Sequence, residues 1–242
     1  EIEVWTDVDG VMTADPRIVS NARTVGAVSF EEASELAYFG AKVLHPKAIL
    51  PALNKNIPVR VLNTFNPLGK GTLILKYVTR KEHVTAITSK SDIYVININS
   101  ARMFLAYGFL HHVFKLFDEF RIPVDMIATS EVNVTVTVED KFDISGLVGK
   151  LREFATVTVL PARASISIVG SGIRLTPGLA SKIFSIFGRM GINVEMTTQS
   201  YDALTETVVI KEDRLEEAVR ALHGEFFGAP AAAVELAAPV AA

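Results

Sequence analysis

Two stretches of this chain repeat one another. Gly108 to Ser130, GFLHHVFKLFDEFRIPVDMIATS, aligns without a gap on Gly178 to Ser200, GLASKIFSIFGRMGINVEMTTQS. The alignment matches Gly108 with Gly178, Phe114 with Phe184, Phe117 with Phe187, Ile122 with Ile192, Val124 with Val194, Met126 with Met196 and Ser130 with Ser200. A duplication limits the fold severely, because both copies must bury the same apolar face in the same way. In copy one Phe109, Val113, Phe114, Phe117 and Phe120 recur at helical spacing, and Ile122, Val124 and Met126 alternate as a strand does. Each copy therefore reads as a helix followed by a strand.

The flanks complete the unit. Copy one has a strand before it (DIYVINI), one after it (VNVTVTV), a second helix (DISGLVGKLREF) and a closing strand (TVTVL), which is βαββαβ, a ferredoxin-like α+β arrangement. Copy two has ASISIVG, a helix opened by Thr176 and Pro177, two strands and a helix from about Asp213 to Phe226, and then lacks a strand. The spare strand, HVTAITS, stands upstream of copy one. Copy one is thus expected to be inserted in copy two, with residues 84–90 and 164–227 forming one domain and 91–163 the other. Residues 1–80 form a separate front part, and the alanine- and proline-rich stretch 228–242 reads as a disordered tail or linker.

The loop between first strand and first helix presents backbone N–H groups at a helix N-terminus, a seat for a carboxylate. In copy one it is YGFL, Tyr107 to Leu110, and the following strand brings Asp125, Thr129, Ser130 and Glu131. Such a site suits a basic amino acid, with Asp125 on its α-ammonium and Glu131 on a side-chain ammonium. Both acids as plain surface charges at a strand end is the other reading, and residue type alone leaves it open.

The front part holds WTDVDGVMTADPR, Trp5 to Arg17, an acidic loop behind an apolar strand. Calcium is a poor match, because Met12 stands where the turn glycine belongs and Ile18 where the bidentate glutamate belongs. GSG at Gly170 to Gly172 fails as a dinucleotide loop, with Leu175 in place of the third glycine. A net charge of -3 with mixed signs argues against nucleic acid, and no apolar run reaches the ~20 residues of a membrane span. The absence of cysteine removes thiolate chemistry and suits a reducing compartment. No signal sequence is visible, although Glu1 is not a natural start.

FGAKVLHP (Phe39 to Pro46), WTDVDGVMTADPR and VDMIATSEV, followed by the paired repeats, resemble aspartokinases, especially the lysine-inhibited type. The resemblance runs from Glu1 to about Phe227. It implies an α/β front part, the C-terminal portion of an amino acid kinase (carbamate kinase-like) domain, followed by two regulatory ACT domains. It carries Thr6, Asp7, Met12, Arg17, Lys42 and Val43 over as nucleotide-contacting positions, with Met12 departing from a tyrosine common there. Effector positions carried over are Met103, Gly108, Phe109, Leu110, Val124, Asp125, Thr129, Ser130 and Glu131. Leu105 and Pro123 depart from the histidine and serine found in some members. The implied activity is transfer of the γ-phosphate of ATP, with Mg2+, to L-aspartate. The resemblance further implies L-lysine as effector, a homodimer through the ACT domains with a tetramer left open, and a cytoplasmic or, in a plant, plastid location. The family's phosphate-binding lysine and glycine segment lies ahead of where this chain starts, so the chain alone is expected to be inactive. An amino-acid-sensing subunit without catalysis is the competing class.

Overall fold

A computed structural model describes residues 1–40, 51–80, 82–101, 103, 107–199 and 204–228. The front part is a four-stranded sheet in the order β1-β3-β4-β2, made of β1 (Ile2–Thr6), β2 (Ala27–Ser29), β3 (Val59–Asn63) and β4 (Thr72–Leu75). β1 runs parallel to β3 and β2 parallel to β4, while β3 and β4 are antiparallel. Helix α1 (Phe30–Tyr38) starts at a capping box in which Ser29 accepts from the Glu32 N–H and Glu32 accepts from the Ser29 N–H. Phe30, Ala33 and Leu36 of α1 pack on Val28, Val59, Val61 and Ile74.

The rest is one six-stranded antiparallel sheet, β6-β7-β5-β8-β10-β9. Its strands are β5 (Ala86–Asn99), β6 (Met126–Thr129), β7 (Asn133–Glu139), β8 (Thr156–Val169), β9 (Met196–Thr198) and β10 (Thr205–Lys211). Helices α2 (Phe109–Glu119) and α3 (Ser145–Leu151) cover unit one, and α4 (Leu179–Arg189) and α5 (Leu215–Phe227) cover unit two. Gly108 and Gly178, equivalent in the repeat, cap α2 and α4 with the same φ of 81°, a left-handed conformation that side chains disfavour. No described helix is long and apolar enough to cross a membrane.

HVTAITS and DIYVINI, expected as two strands, run on as the single 14-residue β5, and TVTVL and ASISIVG join as the 14-residue β8. Residues 86–90 pair with 169–165 of β8, so the upstream segment does lie in the sheet of the second copy. The join is made by bulges rather than turns. Between the pairs Lys90–Ser165 and Ile93–Arg163 the extra residue is on β5, and between Ile93–Arg163 and Val95–Leu160 it is on β8. Asp92 and Ala162 there take φ values of 56° and 54°. One extra residue reverses which side chains face up. Ile87 accordingly faces α4 and α5, and Ile96 and Ile98 face α2 and α3, although simple alternation would put them on opposite faces. The bulges thereby set all four helices on one side of the sheet.

On the other side Ile93, Val95, Met126, Met196 and Val209 form a small core in which the equivalent methionines of the two edge strands β6 and β9 meet. The strand expected from Ile122 enters the ladder only at Met126, because Ile122 and Val124 are spent on the unit-one core before pairing begins. Among the described residues Glu206 is the one buried side chain with an unpartnered oxygen; it is 3% exposed on the helix-facing side of β10, in the place Val134 holds in copy one, since Thr137 pairs with Met126 as Val209 pairs with the equivalent Met196.

Burial pushes the Glu206 carboxyl above the ordinary glutamate range. A group whose folded pKa is raised stabilises only while protonated in both states and loses that contribution as pH rises through the folded value. Glu206→Val is therefore expected to stabilise the chain at pH ~7 by about 1–3 kcal/mol, the cost of an unsatisfied buried polar group. Urea unfolding should show this advantage shrinking as pH falls toward about 4, where wild type is protonated folded and unfolded alike.

Candidate functional site

Parallel strands of an α/β sheet expose loops and free backbone groups at their C-terminal ends, where ligands bind. Here those ends belong to β1 and β3. Thr6 closes β1, donates from its hydroxyl to Asp7 Oδ1 at 3.1 Å, and accepts the Thr64 N–H on its carbonyl at 2.8 Å. Asp7 is exposed at this edge. Asp9 Oδ1 accepts from Asn63 Nδ2 at 2.8 Å and Asn66 Nδ2 at 3.2 Å, tying the acidic loop to the NPLGKGT turn. That turn is closed by Phe65 N–H donating to Asn63 Oδ1 at 2.9 Å and Gly69 N–H to the Asn66 carbonyl at 2.9 Å. It leaves Phe65 and Leu68 at 83% and 96% exposure, apolar groups in the same turn as the Asp9–Asn63–Asn66 hydrogen bonds. Asp9, Asn63 and Asn66 were not among the expected site residues. The spacing of two asparagines around a turn was the available signal.

The second half of the acidic loop goes elsewhere. Thr13, Ala14 and Val19 are buried, the latter two in the core under α4 and α5. Thr13 Oγ1 lies 2.9 Å from His223 Nε2, Arg220 Nε donates to the Ile18 carbonyl at 2.9 Å, and Arg23 Nη2 donates to the Phe227 carbonyl at 2.7 Å. Burial and the nearby Arg23 lower the His223 pKa, so this imidazole is held neutral inside the joint. Met12 pairs with Thr24 through an isolated bridge and accepts its hydroxyl on Sδ at 3.5 Å. Arg17, expected as a nucleotide-contacting position, is 86% exposed and grips Asp15 at 2.6 Å, which holds the Asp15 carboxyl below its usual range. The loop is thus a strand-end site only as far as Asp9 and a docking peptide beyond it. Lys42 and Val43 lie outside the described residues, as do Leu105, Ser200, Tyr201 and the tail from Ala229.

In unit one Gly108, Phe109 and Leu110 form the start of α2, which no side chain caps. Phe109 stacks edge-on against Phe154 at 5.8 Å, Leu110 is 40% exposed, and Met103 and Val124 are half-buried against the unit-one core. The turn after β6 is closed by Ser130 N–H donating to the Asn133 carbonyl and is tied to the end of β5 by Ser100 N–H donating to the Val132 carbonyl, each at 2.9 Å. Thr129 ends β6 and Glu131 is exposed in the turn. Asp125 is not with them. It precedes β6, at the end toward the bulges, and β6 at about 3.3 Å per residue separates it from Glu131 by ~16 Å or more. Its carboxylate is engaged by Lys90 Nζ at 2.8 Å, which also holds Glu139 at 2.6 Å. Burial alone would lower the Lys90 pKa, but its two carboxylate partners outweigh this and raise it. In one copy of the chain Asp125 is thus engaged by Lys90, while Glu131 stands exposed in the turn at the other end of β6.

The model of the amino acid kinase family matches residues 1–63, and that of an ACT domain residues 166–226. Chloroplastic aspartokinase 2 of Arabidopsis thaliana is 38% identical over 239 residues, covering 94% of this chain and 44% of that protein. The crystal structure of E. coli aspartokinase III with aspartate and ADP superposes with a TM-score of 0.85 at 30% identity, covering 93% of this chain and 52% of that one. Its complex with lysine and aspartate gives a TM-score of 0.81 at 30% identity, with 93% and 51% coverage. The chain spans about half the length of these relatives. Over nearly its whole length, with an amino acid kinase segment in front and an ACT domain behind, the chain is similar to aspartokinases.

Proposed function

We propose that this chain is the regulatory half, with the adjoining part of the catalytic domain, of a kinase that transfers the γ-phosphate of ATP to the side-chain carboxylate of L-aspartate, under feedback control by L-lysine. The observation that carries this is the joining of parallel strand ends at β1 and β3, bearing Thr6, Asp7 and Asp9, to a duplicated sheet with a helix start that no side chain caps. Thr6, Asp7 and the segment with Lys42 and Val43 take the nucleotide, Met12 and Arg17 stand in the part of the loop that docks on unit two, and residues 1–80 belong to the catalytic domain. Residues 91–163 form the effector-binding ACT domain, and 84–90 with 164–227 the other. The described residues contain no group of three or more metal-ligating side chains, so Mg2+ is taken to arrive on the triphosphate with its water shell. A reducing compartment, the cytoplasm or a plastid, suits a chain without cysteine.

Phosphoryl transfer rests on positioning and charge stabilisation, and these strand ends offer the triphosphate few cations. We expect the 242-residue chain alone to release no ADP from ATP and aspartate in a coupled assay, while the full-length protein does. A pure sensing subunit would have no need of the β1–β3 strand ends, and would remain inactive at full length.

The edge strand β6 supplies the missing half of the effector site. Antiparallel two-fold pairing of β6 with a second copy about Ala128 places Asp125 of one copy opposite the Glu131 turn of the other. Ile127, 47% exposed on that edge, adds apolar area to the contact. Lysine then lies with its carboxylate on the N–H groups at Gly108–Leu110, and its ammonium groups on Asp125 and Glu131 from different copies. Asp125 is released to it because Lys90 keeps Glu139. Calorimetry with lysine, threonine and methionine should show lysine binding that weakens about tenfold or more in Asp125→Ala and in Glu131→Ala, the loss of one charged hydrogen bond. Retained affinity in both removes lysine from this site. Ile127→Lys should shift the sedimentation equilibrium from dimer to monomer and lose lysine binding with it; a dimer that persists excludes the β6 edge.

A further inference from the structure

A capping box asks one thing of its glutamate, a hydrogen bond from the N-cap N–H. Glu32 does far more. Its Oε2 accepts from the Ser29 N–H at 2.9 Å and from Arg80 Nη2 at 3.1 Å. Its Oε1 accepts from Thr85 Oγ1 at 2.6 Å and from the backbone N–H of Ser171 at 3.1 Å. Arg80 also donates to Thr85 Oγ1 and to the Ala27 carbonyl, both at 2.6 Å. The Glu32 residue is 0% exposed and the Arg80 side chain 6%. A carboxylate so buried is tolerated only with its lone pairs matched, and withdrawing one donor leaves a costly gap. The donors come from the front part, from the connector before β5, and from the loop that leaves β8 for α4.

The far end of α1 is held on the same sheet. Thr205 Oγ1 donates to Glu35 Oε2 at 2.9 Å, and Thr88 Oγ1 donates to the Phe39 carbonyl at 2.8 Å. Gly40, with φ of 114°, passes so close to β5 that a Cβ would stand 2.7 Å from the Ser89 carbonyl oxygen. The segment carrying Lys42 and Val43 follows directly in sequence. We infer that Glu32 is a positioning residue that binds α1 and the β8–α4 loop of unit two into one mechanical body, so that a shift of unit two is delivered to the segment following α1. Only the statement that this segment takes nucleotide rests on the function proposed above. The coupling itself is a property of this chain, and the contact through which it acts is the Ser171 amide on the Glu32 carboxylate.

Hydrogen exchange on the 242-residue chain tests it. Ser171→Pro removes the loop donor and also fixes the local backbone, Glu32→Gln puts an NH2 among donors, and Thr85→Val removes the hydroxyl with little change of shape if the proline variant does not fold. Loss of a hydrogen bond to a buried charge corresponds to roughly tenfold or more in local opening. Each variant should accelerate exchange to that degree in both α1 and residues 172–179, with α3 unchanged. Acceleration confined to the substituted element, or spread equally to α3, overturns the inference. In the full-length protein Glu32→Gln should raise KM for ATP several-fold with kcat largely kept. Coupled exchange with an unchanged KM overturns the delivery to nucleotide, and full-length protein that does not use ATP refutes the proposed function while the exchange result still decides the coupling.

Discussion

The ladder between β5 and β8 is the constraint on which the remainder hangs. Both strands are 14 residues long, and each serves both copies of the repeat. A backbone that continues through two units must satisfy its N–H and C=O groups along the whole length, so the units cannot be separated by a flexible hinge. What it can do is bend, and the bulges at Asp92 and Ala162 supply that bend at the cost of two non-glycine residues in the left-handed region. The same bulges invert the facing of side chains, collect all four helices on one side, and bring Met126 and Met196 together on the other.

With the helices gathered on one face, the opposite face of unit two is left for the front part. Thr88 and Thr205 donate to α1 from there, and Ala86 and Val169 enter the front core. The acidic loop closes the arrangement from the helix side by docking Ala14 and Val19 beneath α5. Unit two is therefore enclosed on both faces by residues 11–40, whereas unit one touches solvent on its edge strand and its β6–β7 turn.

The sequence made the repeat plain, and with it both βαββαβ units, because aromatic residues at helical spacing and alternating valines are strong periodic signals over long segments. The pairing of residues 86–90 with 165–169 followed from counting strands. The bulges were not legible: one extra residue in an apolar run such as SDIYVININ changes facing without changing composition. Nor was the split in WTDVDGVMTADPR, since Thr13 and Ala14 carry no mark of burial and the residues that bury them lie far on in sequence, at His223 and Leu222. Asp125 and Glu131 are near in sequence, and an extended strand between them undoes that nearness. Asp9 with Asn63 and Asn66 illustrates the converse, three polar residues brought to one point by parallel strands.

Duplication gave two helix starts of identical backbone geometry, Gly108 and Gly178, and the surroundings then assigned them different work. In copy one the edge strand β6 and the turn after it are exposed, with Ile127 and Glu131 open to solvent. In copy two the loop ahead of the start is spoken for, because the Ser171 N–H ends on Glu32 and Gly172 lies where a Cβ would stand 2.7 Å from His83 Cα. A buried carboxylate at Glu206 replaces the core valine of copy one, which is tolerable in a unit held from both faces and would be hazardous in one held from a single face. On the reading proposed here, copy one is free to change with its ligand because little else depends on its edge, and copy two conveys that change because it has almost no freedom of its own. A regulatory module made of two equally mobile units would dissipate a shift of one in the linkage to the other. On that reading, the fixing of the second copy on the front part through Glu32, Glu35 and Thr88 is what would let an event at the first reach the front part.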